Sequence, residues 1–195
     1  GLIAPQTQLG IVGIELIPET RDDRSDIYSA GLSIDSAFNP SSTLIPYNLT
    51  GGVTLSLTSP SSSGLFSGLT SVFSLSGSLE ESLVSSNIAL SANISGGEDS
   101  MAAKILLLED SLDLSSLVLS SYKGDLKYDR SVPEDVNYSN RDLVALKKVI
   151  NKEIPLVVRA NRASDILTLI KLAERRDINL IINGAEEGWR VSRQL

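Results

Sequence analysis

The amino-acid sequence predicts an α/β fold in which strands and helices alternate along the chain. Residues 154–160, IPLVVRA, form a continuous apolar run of strand length. Residues 164–176 follow with Ile and Leu side chains on one helical face, and residues 179–182 return to a strand pattern. Such a unit joins two parallel, neighbouring strands by a right-handed crossover. The residues by themselves leave a barrel and an open sheet as alternatives.

The other elements are predicted from the spacing of apolar residues. Short runs rich in branched apolar residues predict strands at 9–17, 53–57 and 71–75. Apolar positions at helical spacing predict one or two helices within 101–123, a helix at 140–152 and a last helix at 185–195. Asn140 is the predicted N-cap of the middle helix.

The organisation predicted for the chain is a single domain, 1–195. It divides into first strands and loops at 1–78, a mainly helical part at 100–152 and a strand–helix–strand–helix unit at 153–195. The chain opens with Gly1 rather than Met, so we expect a piece of a longer protein.

Composition and charge exclude several classes of function. Hydrophobic residues make up 42% of the 195 residues, which is enough for a buried core. The net charge of -7 and the scattered Lys and Arg residues provide no basic face, so we expect no nucleic-acid partner. No apolar run approaches the roughly 20 residues that cross a bilayer, so we expect no membrane span.

The chain contains neither histidine nor cysteine. Histidine is the usual general base and the commonest metal ligand, and it is the middle member of Ser-His-Asp triads. Cysteine would supply a thiolate nucleophile or a thiolate metal site. Most hydrolytic mechanisms are therefore excluded for this chain alone, unless another chain lends residues. We predict no catalytic residue and no cofactor within it.

Several blocks of the sequence resemble the metal-dependent amidohydrolase superfamily, in particular its imidazolonepropionase-like branch. The opening GLIAPQTQLG is similar to the segment in which Pro-Gly-Leu-Ile-Asp is followed by His-x-His at the end of the first strand. The similarity continues through the blocks at 36–60, 63–77, 154–166 and 178–195. The resemblance implies part of a TIM-like (β/α)₈ barrel, with parallel strands and crossover helices. A complete barrel takes about 250 residues, so the barrel is expected to be incomplete.

The resemblance also implies a dismantled metal site. The two first-strand histidines of the family fall at Gln6 and Gln8, and the histidine before the Ala-Asn-Arg-Ala-Ser-Asp-Ile run falls at Arg159. Asn183 lies where many relatives carry another histidine, although that position carries less weight. Family members use zinc or another divalent metal. A glutamine oxygen is a weak ligand and a guanidinium opposes a cation, so we predict no metal here.

Each of these residues also has a simpler interpretation. Gln6 and Gln8 could be ordinary polar residues at a strand end. Arg159 could bind a carboxylate, and pairing with a structural acid such as Asp165 or Glu186 is the preferred alternative. The acidic pairs Asp22-Asp23 and Glu109-Asp110 are best explained as a solvated face.

Four further residues are candidates for ligand binding. Asn161 and Arg162 belong to the run after the predicted strand at 154–160, and Ser67 and Gly68 to a serine- and glycine-rich stretch. The loop at 61–68 could cradle an anion with its backbone N–H groups, but it matches no phosphate-binding motif. A packed turn is the favoured interpretation of that loop.

The hypothesis that follows is an amidohydrolase-like domain related to hydrolases of non-peptide amide or dipeptide C–N bonds, catalytically degenerate and binding a small polar ligand or a protein partner. One alternative is an active metal-dependent hydrolase that uses ligands from outside this chain, and another is a structural or ligand-binding module. A partial barrel exposes strand edges, so we expect self-association or a missing C-terminal part. The resemblance favours a bacterial, periplasmic protein.

Overall fold

The protein has a mixed α/β fold built around one six-stranded sheet. The computed structural model describes residues 1–13, 17–62, 64–78, 81–95, 99–120 and 138–195. The strands are β1 (Leu2–Thr7), β2 (Val53–Thr58), β3 (Phe66–Ser74), β4 (Leu83–Asn93), β5 (Leu156–Ala160) and β6 (Leu180–Gly184). The helices are α1 (Leu44–Thr50), α2 (Met101–Ser120), α3 (Asn140–Ile150) and α4 (Ala163–Arg176). Short 3-10 helices occupy Pro18–Thr20 and Gly188–Val191.

The strands lie in the sheet in the order in which they occur in the chain. β1 and β2 are parallel, and so are β4, β5 and β6, whereas β3 runs antiparallel to both β2 and β4. The expectation of parallel strands throughout is therefore wrong in the middle of the sheet. The connections on both sides of β3 are too short to hold a crossover helix, so these strands pair as antiparallel neighbours.

The sheet curls into a barrel-like shape. Strands in a sheet are spaced about 4.8 Å apart, so the two outer strands of a flat six-stranded sheet would be separated by roughly 24 Å. Gln6 on β1 and Asn183 on β6 nevertheless line one cavity. The two outermost strands, β1 and β6, therefore lie close together, and the sheet is nearly closed.

The strand–helix–strand prediction near the C-terminus is confirmed. β5 and β6 pair in parallel register, from Leu156–Leu180 to Ala160–Gly184, and α4 connects them. Helix α2 runs as one helix from Met101, and the predicted continuation over 121–123 lies outside the described residues. Between these elements lies the main core, whose fully enclosed side chains include Leu90, Leu108, Leu146, Leu156, Ile166 and Leu169.

Two predicted elements are wrong. The first strand occupies Leu2–Thr7 rather than 9–17. Residues 9–11 of that range form a turn, Val12 makes an isolated bridge with Arg21, and residues 14–16 lie outside the described residues. Ile11 is buried in a small separate cluster with Ile34 and with Phe73 of β3, so its apolar character reflects packing of a turn against the sheet. The predicted helix at 185–195 is reduced to the 3-10 turn at Gly188–Val191.

Two elements were not predicted at all. β4 contains many serines, and its first half is exposed, so it lacks an apolar signature there. α1 contains a proline, and Ile45 is its buried residue. In both elements tertiary packing overrides weak local preference. None of the helices within the described ranges has the length and apolar character that a membrane span requires.

The N-cap of helix α3 lies one residue earlier than predicted. The N-cap is Ser139 rather than Asn140, and its hydroxyl accepts a hydrogen bond from the backbone N–H of Asp142. The Asp142 carboxylate in turn accepts from the Ser139 N–H at 2.8 Å. This reciprocal arrangement is a capping box, which satisfies N–H groups that the helix itself leaves unpaired.

The other oxygen of the buried Asp142 carboxylate ties a distant loop to α3. It accepts hydrogen bonds from the backbone N–H groups of Ser29 at 3.0 Å and Gly31 at 2.7 Å. A Cβ at Gly31 would lie 2.5 Å from the backbone carbon of Arg141, so only glycine permits this approach. One carboxylate thus joins loop 29–31 to the start of α3.

We predict that Asp142→Asn lowers the free energy of unfolding by about 2–3 kcal/mol, because an NH2 group would replace one oxygen that accepts hydrogen bonds from N–H donors. Urea denaturation followed by circular dichroism measures the change. The control is Asp26→Asn, at an exposed position, which should change stability by less than about 0.5 kcal/mol. Equal stability of the two variants would contradict the role given to Asp142.

Candidate functional site

A polar cavity of about 340 Å³ lies at one end of the barrel-like sheet. Gln6 and Thr7 come from the end of β1, Asn93 from the end of β4, and Arg159 and Asn183 from the last residues of β5 and β6. The remaining lining residues are Gln8, Ser59, Pro60, Ser61, Ser62, Ser67, Ser91, Ala92 and Val157. The carboxyl ends of parallel strands are where α/β folds usually carry their ligands.

All four positions predicted as a former metal site line this cavity: Gln6, Gln8, Arg159 and Asn183. The structure therefore brings together residues that are far apart in the sequence. Ser67 also lines the cavity, because β3 runs in the opposite direction and starts at this end of the sheet.

The other three candidate residues do not belong to the described lining. A Cβ at Gly68 would lie 2.7 Å from the Leu32 carbonyl oxygen, so Gly68 is packed against a neighbouring loop. Asn161 follows β5 and lies against Gly184. Arg162 is the N-cap residue of α4 and makes no side-chain capping bond. Glu187 caps this helix instead, because its carboxylate accepts from the Ala163 N–H at 2.9 Å.

Asn93 is a lining residue that sequence reasoning missed. It is paired in register with Arg159, and Arg159 is paired with Asn183, so the three residues form one row across β4, β5 and β6. The available indication was a polar residue at the end of an apolar strand, but β4 itself was not predicted. Without the strand, Asn93 could not be placed in the row.

Gln6 has a strained backbone. Its φ of 51° lies in the left-handed region, which is unusual for a residue with a Cβ. The pairing of β1 with β2 is irregular at the same place, between Ala4 and Thr7. Together the two features describe a local bulge at the cavity, and strained residues of this kind concentrate at functional sites.

A chain of buried hydroxyl groups leads from the barrel interior to Gln6. The Oγ atoms of Ser91 and Ser59 lie 2.9 Å and 2.7 Å from the Thr70 Oγ1, and Ser59 donates to the Gln6 Oε1 at 3.4 Å. A hydroxyl has one proton to donate. The three hydroxyls thus form one continuous hydrogen-bonded chain that ends at the Gln6 side chain.

Asp23 anchors two residues of the cavity lining. Its fully buried carboxylate accepts two hydrogen bonds from Arg21, at 3.1 Å and 3.0 Å, a short one from the Ser61 hydroxyl, and one from the Gln8 Nε2 at 3.4 Å. Its backbone carbonyl also accepts from the Ser61 N–H at 2.8 Å. Two lining residues, Gln8 and Ser61, are thus attached to one carboxylate.

The environment of Asp23 lowers its pKa. Burial by itself acts to raise the pKa, but hydrogen bonds from Arg21 and Ser61 and the positive charges of Arg21 and Arg24 outweigh it. The carboxylate is therefore ionised at neutral pH. The expectation of a solvated acidic pair is wrong for Asp23, and also for Glu109, whose carboxylate contacts the Arg175 guanidinium.

Arg159 is the one charged side chain among the described residues that line the cavity. It is exposed, and it makes no ion pair with any residue in the described ranges. The preferred expectation of a structural pairing with Asp165 or Glu186 is therefore not met. Asp165 instead accepts a hydrogen bond from the Ser164 hydroxyl at 3.0 Å. The guanidinium remains available to a ligand.

The side chains of this cavity do not fit the metal that the resemblance implies. Divalent zinc is held by imidazole, thiolate or carboxylate ligands, and the described lining offers amides, hydroxyls and a guanidinium. Within the described parts of the chain, no group of three or more Asp or Glu residues is placed to hold a metal ion. What the arrangement can do is form hydrogen bonds to a small polar molecule.

The fold places the domain in a known structural class. The crystal structure of an amidohydrolase from Thermotoga maritima MSB8 superimposes with a TM-score of 0.73 at 22% sequence identity. The alignment covers 98% of this chain and 53% of that one, so the chain spans about half the length of this neighbour. No protein-family model matches the chain, and no curated protein sequence matches it. The domain therefore has an amidohydrolase-like fold.

We predict that Asp23→Asn lowers the free energy of unfolding by about 2 kcal/mol at pH 7, because the variant loses the charge that Arg21 neutralises. The folded-state pKa of Asp23 lies below the ordinary value of 3.8, so this contribution is fully present above about pH 4. It is lost as the pH falls through the folded-state pKa. The difference between wild type and variant should therefore stay constant from pH 7 to about 4 and shrink below it.

Urea denaturation at a series of pH values measures this difference. Asp22→Asn, at the exposed neighbouring position, is the matched control and should show no such pH-dependent difference. A stability gap for Asp23→Asn that persists unchanged at the lowest pH would contradict the role of the ionised carboxylate.

Proposed function

We propose that this chain is a catalytically degenerate amidohydrolase-like domain that binds a small polar ligand in the cavity at the carboxyl ends of its strands. The observation that carries the proposal is the convergence of Gln6, Gln8, Arg159 and Asn183 on one cavity. Their side chains suit hydrogen bonding and do not suit a divalent cation. The neighbouring amidohydrolase structure supports the fold, and this chain spans about half of that neighbour's length.

The hydrolytic chemistry of such a site depends on a metal that lowers the pKa of bound water to about 7. The side chains around this cavity offer no substitute. Ser61 donates its hydroxyl proton to Asp23, but the lowered pKa of Asp23 makes this carboxylate a poor base for activating a nucleophile. A metal-free hydrolase of the serine type is therefore not favoured.

We predict that the wild-type protein retains less than about a tenth of an equivalent of zinc after incubation and desalting, whereas Gln6→His/Gln8→His/Arg159→His retains about one equivalent. Three imidazoles in one cavity would restore ligands of the kind that zinc prefers. Elemental mass spectrometry measures the metal, and circular dichroism verifies that the variant folds.

The control is Arg162→His/Lys171→His/Gln194→His, which adds three histidines at exposed positions outside the cavity and should hold no zinc after desalting. One or two tightly held equivalents in the wild type would contradict degeneracy and support the alternative of an active hydrolase with ligands from elsewhere. A folded triple-histidine variant without zinc would contradict the assignment of these positions to a former metal site.

A second candidate function is assembly through the two outer strands of the sheet. Leu2 and Ile3 on β1 are 61% and 57% exposed, and Ile181 on β6 is 49% exposed. Each of these strands has one partner in the described sheet. Unpaired strand edges with exposed apolar side chains favour pairing with another copy.

We predict that the wild-type protein forms a dimer or larger oligomer at micromolar concentration and that Ile181→Lys shifts it to the monomer, because a charge on an edge strand opposes pairing. Light scattering coupled to size-exclusion chromatography gives the mass. Val144→Lys is the control, since Val144 is 46% exposed but lies on α3, away from the sheet edge. A monomeric wild type would exclude this candidate.

A further inference from the structure

Hydrogen bonds around the cavity orient its amide side chains, through a hydroxyl at Gln6 and a backbone N–H at Asn93. The Gln6 Oε1 accepts from Ser59 at 3.4 Å, and the Asn93 Oδ1 accepts from the backbone N–H of Ser95 at 2.9 Å. In each amide the oxygen is thereby engaged, and the NH2 group is left with hydrogen atoms to donate. Two lining amides therefore offer donors to a ligand.

Gln8 has the opposite orientation. Its Nε2 donates to the Asp23 carboxylate at 3.4 Å, which leaves the Gln8 Oε1 as an acceptor. The carboxylate that fixes this orientation is buried and ionised, so it accepts only and cannot reverse the amide. The cavity therefore combines donors from Gln6 and Asn93 with an acceptor from Gln8.

Arg159 adds a positive charge to the donors. It is paired in register with Asn93, so the guanidinium and the Asn93 amide come from adjacent strands at the same level of the sheet. The guanidinium has five N–H donors and no acceptor, in a planar fork that matches a carboxylate. The described lining contains no carboxylate that would neutralise it.

We propose that this cavity binds a small organic carboxylate, with the carboxylate held by Arg159, Asn93 and Gln6 and a neutral donor group of the ligand held by Gln8. This inference rests on the proposed binding function and adds the chemical class of the ligand. A carboxylate is an acceptor-only group, which matches a set of three donors. A hydroxyl or amide N–H elsewhere on the ligand matches the Gln8 oxygen.

The size of the cavity agrees with this assignment. Its volume of about 340 Å³ lies near the lower end of the range for small-molecule sites, which is roughly 300–1,000 Å³. Hydroxy acids and N-acylated amino acids of a few carbon atoms fit such a volume. The buried hydroxyls of Ser91, Thr70 and Ser59 form a hydrogen-bonded chain that ends at the Gln6 Oε1, and this contact restrains the Gln6 side chain.

The test uses two carboxylates and their uncharged amides as probes: lactate with lactamide, and N-acetylglycine with N-acetylglycinamide. Binding is measured by calorimetric titration and by the change in the amide side-chain resonances of Gln and Asn in nuclear magnetic resonance spectra. We expect at least one carboxylate to bind about tenfold or more tightly than its amide, because the charge-assisted contacts with Arg159 are lost in the neutral probe.

The variants locate the contact. Arg159→Gln should weaken carboxylate binding about tenfold or more while leaving amide binding unchanged. Arg162→Gln is the matched control, since Arg162 is exposed, carries the same charge and lies three residues away outside the described cavity lining. It should leave the affinity for both probes unchanged. Inorganic phosphate serves as a third probe, and we expect it to bind more weakly than the carboxylate.

The outcomes separate this inference from the proposed function. Equal binding of a carboxylate and its amide, with both abolished by Asn183→Leu in the cavity, would overturn the anion assignment and leave the polar-ligand function intact. Tighter, Arg159-dependent binding of phosphate would likewise overturn the carboxylate assignment. Tight zinc binding by the wild type would overturn the proposed function itself, and absence of binding by every probe would overturn this inference.

Discussion

The structure depends on the parallel ladder of β4, β5 and β6. Backbone hydrogen bonds fix the register of these three strands, and the register places Asn93, Arg159 and Asn183 side by side. In the same strands, Leu90, Leu156 and Val158 are completely buried. A shift of the strand register by one residue would move such apolar side chains from the buried face of the sheet to the opposite face. Apolar residues outside the cavity lining therefore fix the position of the row formed by Asn93, Arg159 and Asn183.

Two buried carboxylates link separate segments of the chain, as disulfides do in other small domains. Asp142 joins loop 29–31 to α3, and Asp23 joins Arg21 to Ser61 and Gln8. A buried carboxylate is stable only when its oxygens are fully hydrogen-bonded, and both of these are engaged on each oxygen. Because each buried carboxylate needs a full set of hydrogen-bond donors, it also fixes the positions of the loops that supply those donors.

The interior near the cavity is polar rather than apolar, which distinguishes it from the core between the helices and the sheet. Ser59, Thr70 and Ser91 are all buried, and Ser59 and Ser91 line the cavity. Their hydroxyls partner one another, with the Thr70 Oγ1 at 2.7 Å from the Ser59 Oγ and at 2.9 Å from the Ser91 Oγ. These short polar side chains border the cavity at the carboxyl end of the barrel-like sheet. Gln6, with its strained backbone, also lines this cavity.

The sequence by itself determined the elements whose signals are local. The apolar runs at β5 and β6, the amphipathic α4 and the absence of histidine are visible without a structure, and so is the position of Arg159 near the end of the apolar run at 154–160. These features follow from periodicity and composition, which the chain carries residue by residue.

Only the tertiary structure decided the antiparallel placement of β3, the serine-rich β4 and the curvature that brings β1 to β6. It also decided that Asp23 is buried and that Arg159 has no partner among the described residues. The physical reason is that pairing, burial and ion-pair geometry are set by residues distant in the chain. Local propensity is too weak to fix them, since it contributes less than the packing it competes with.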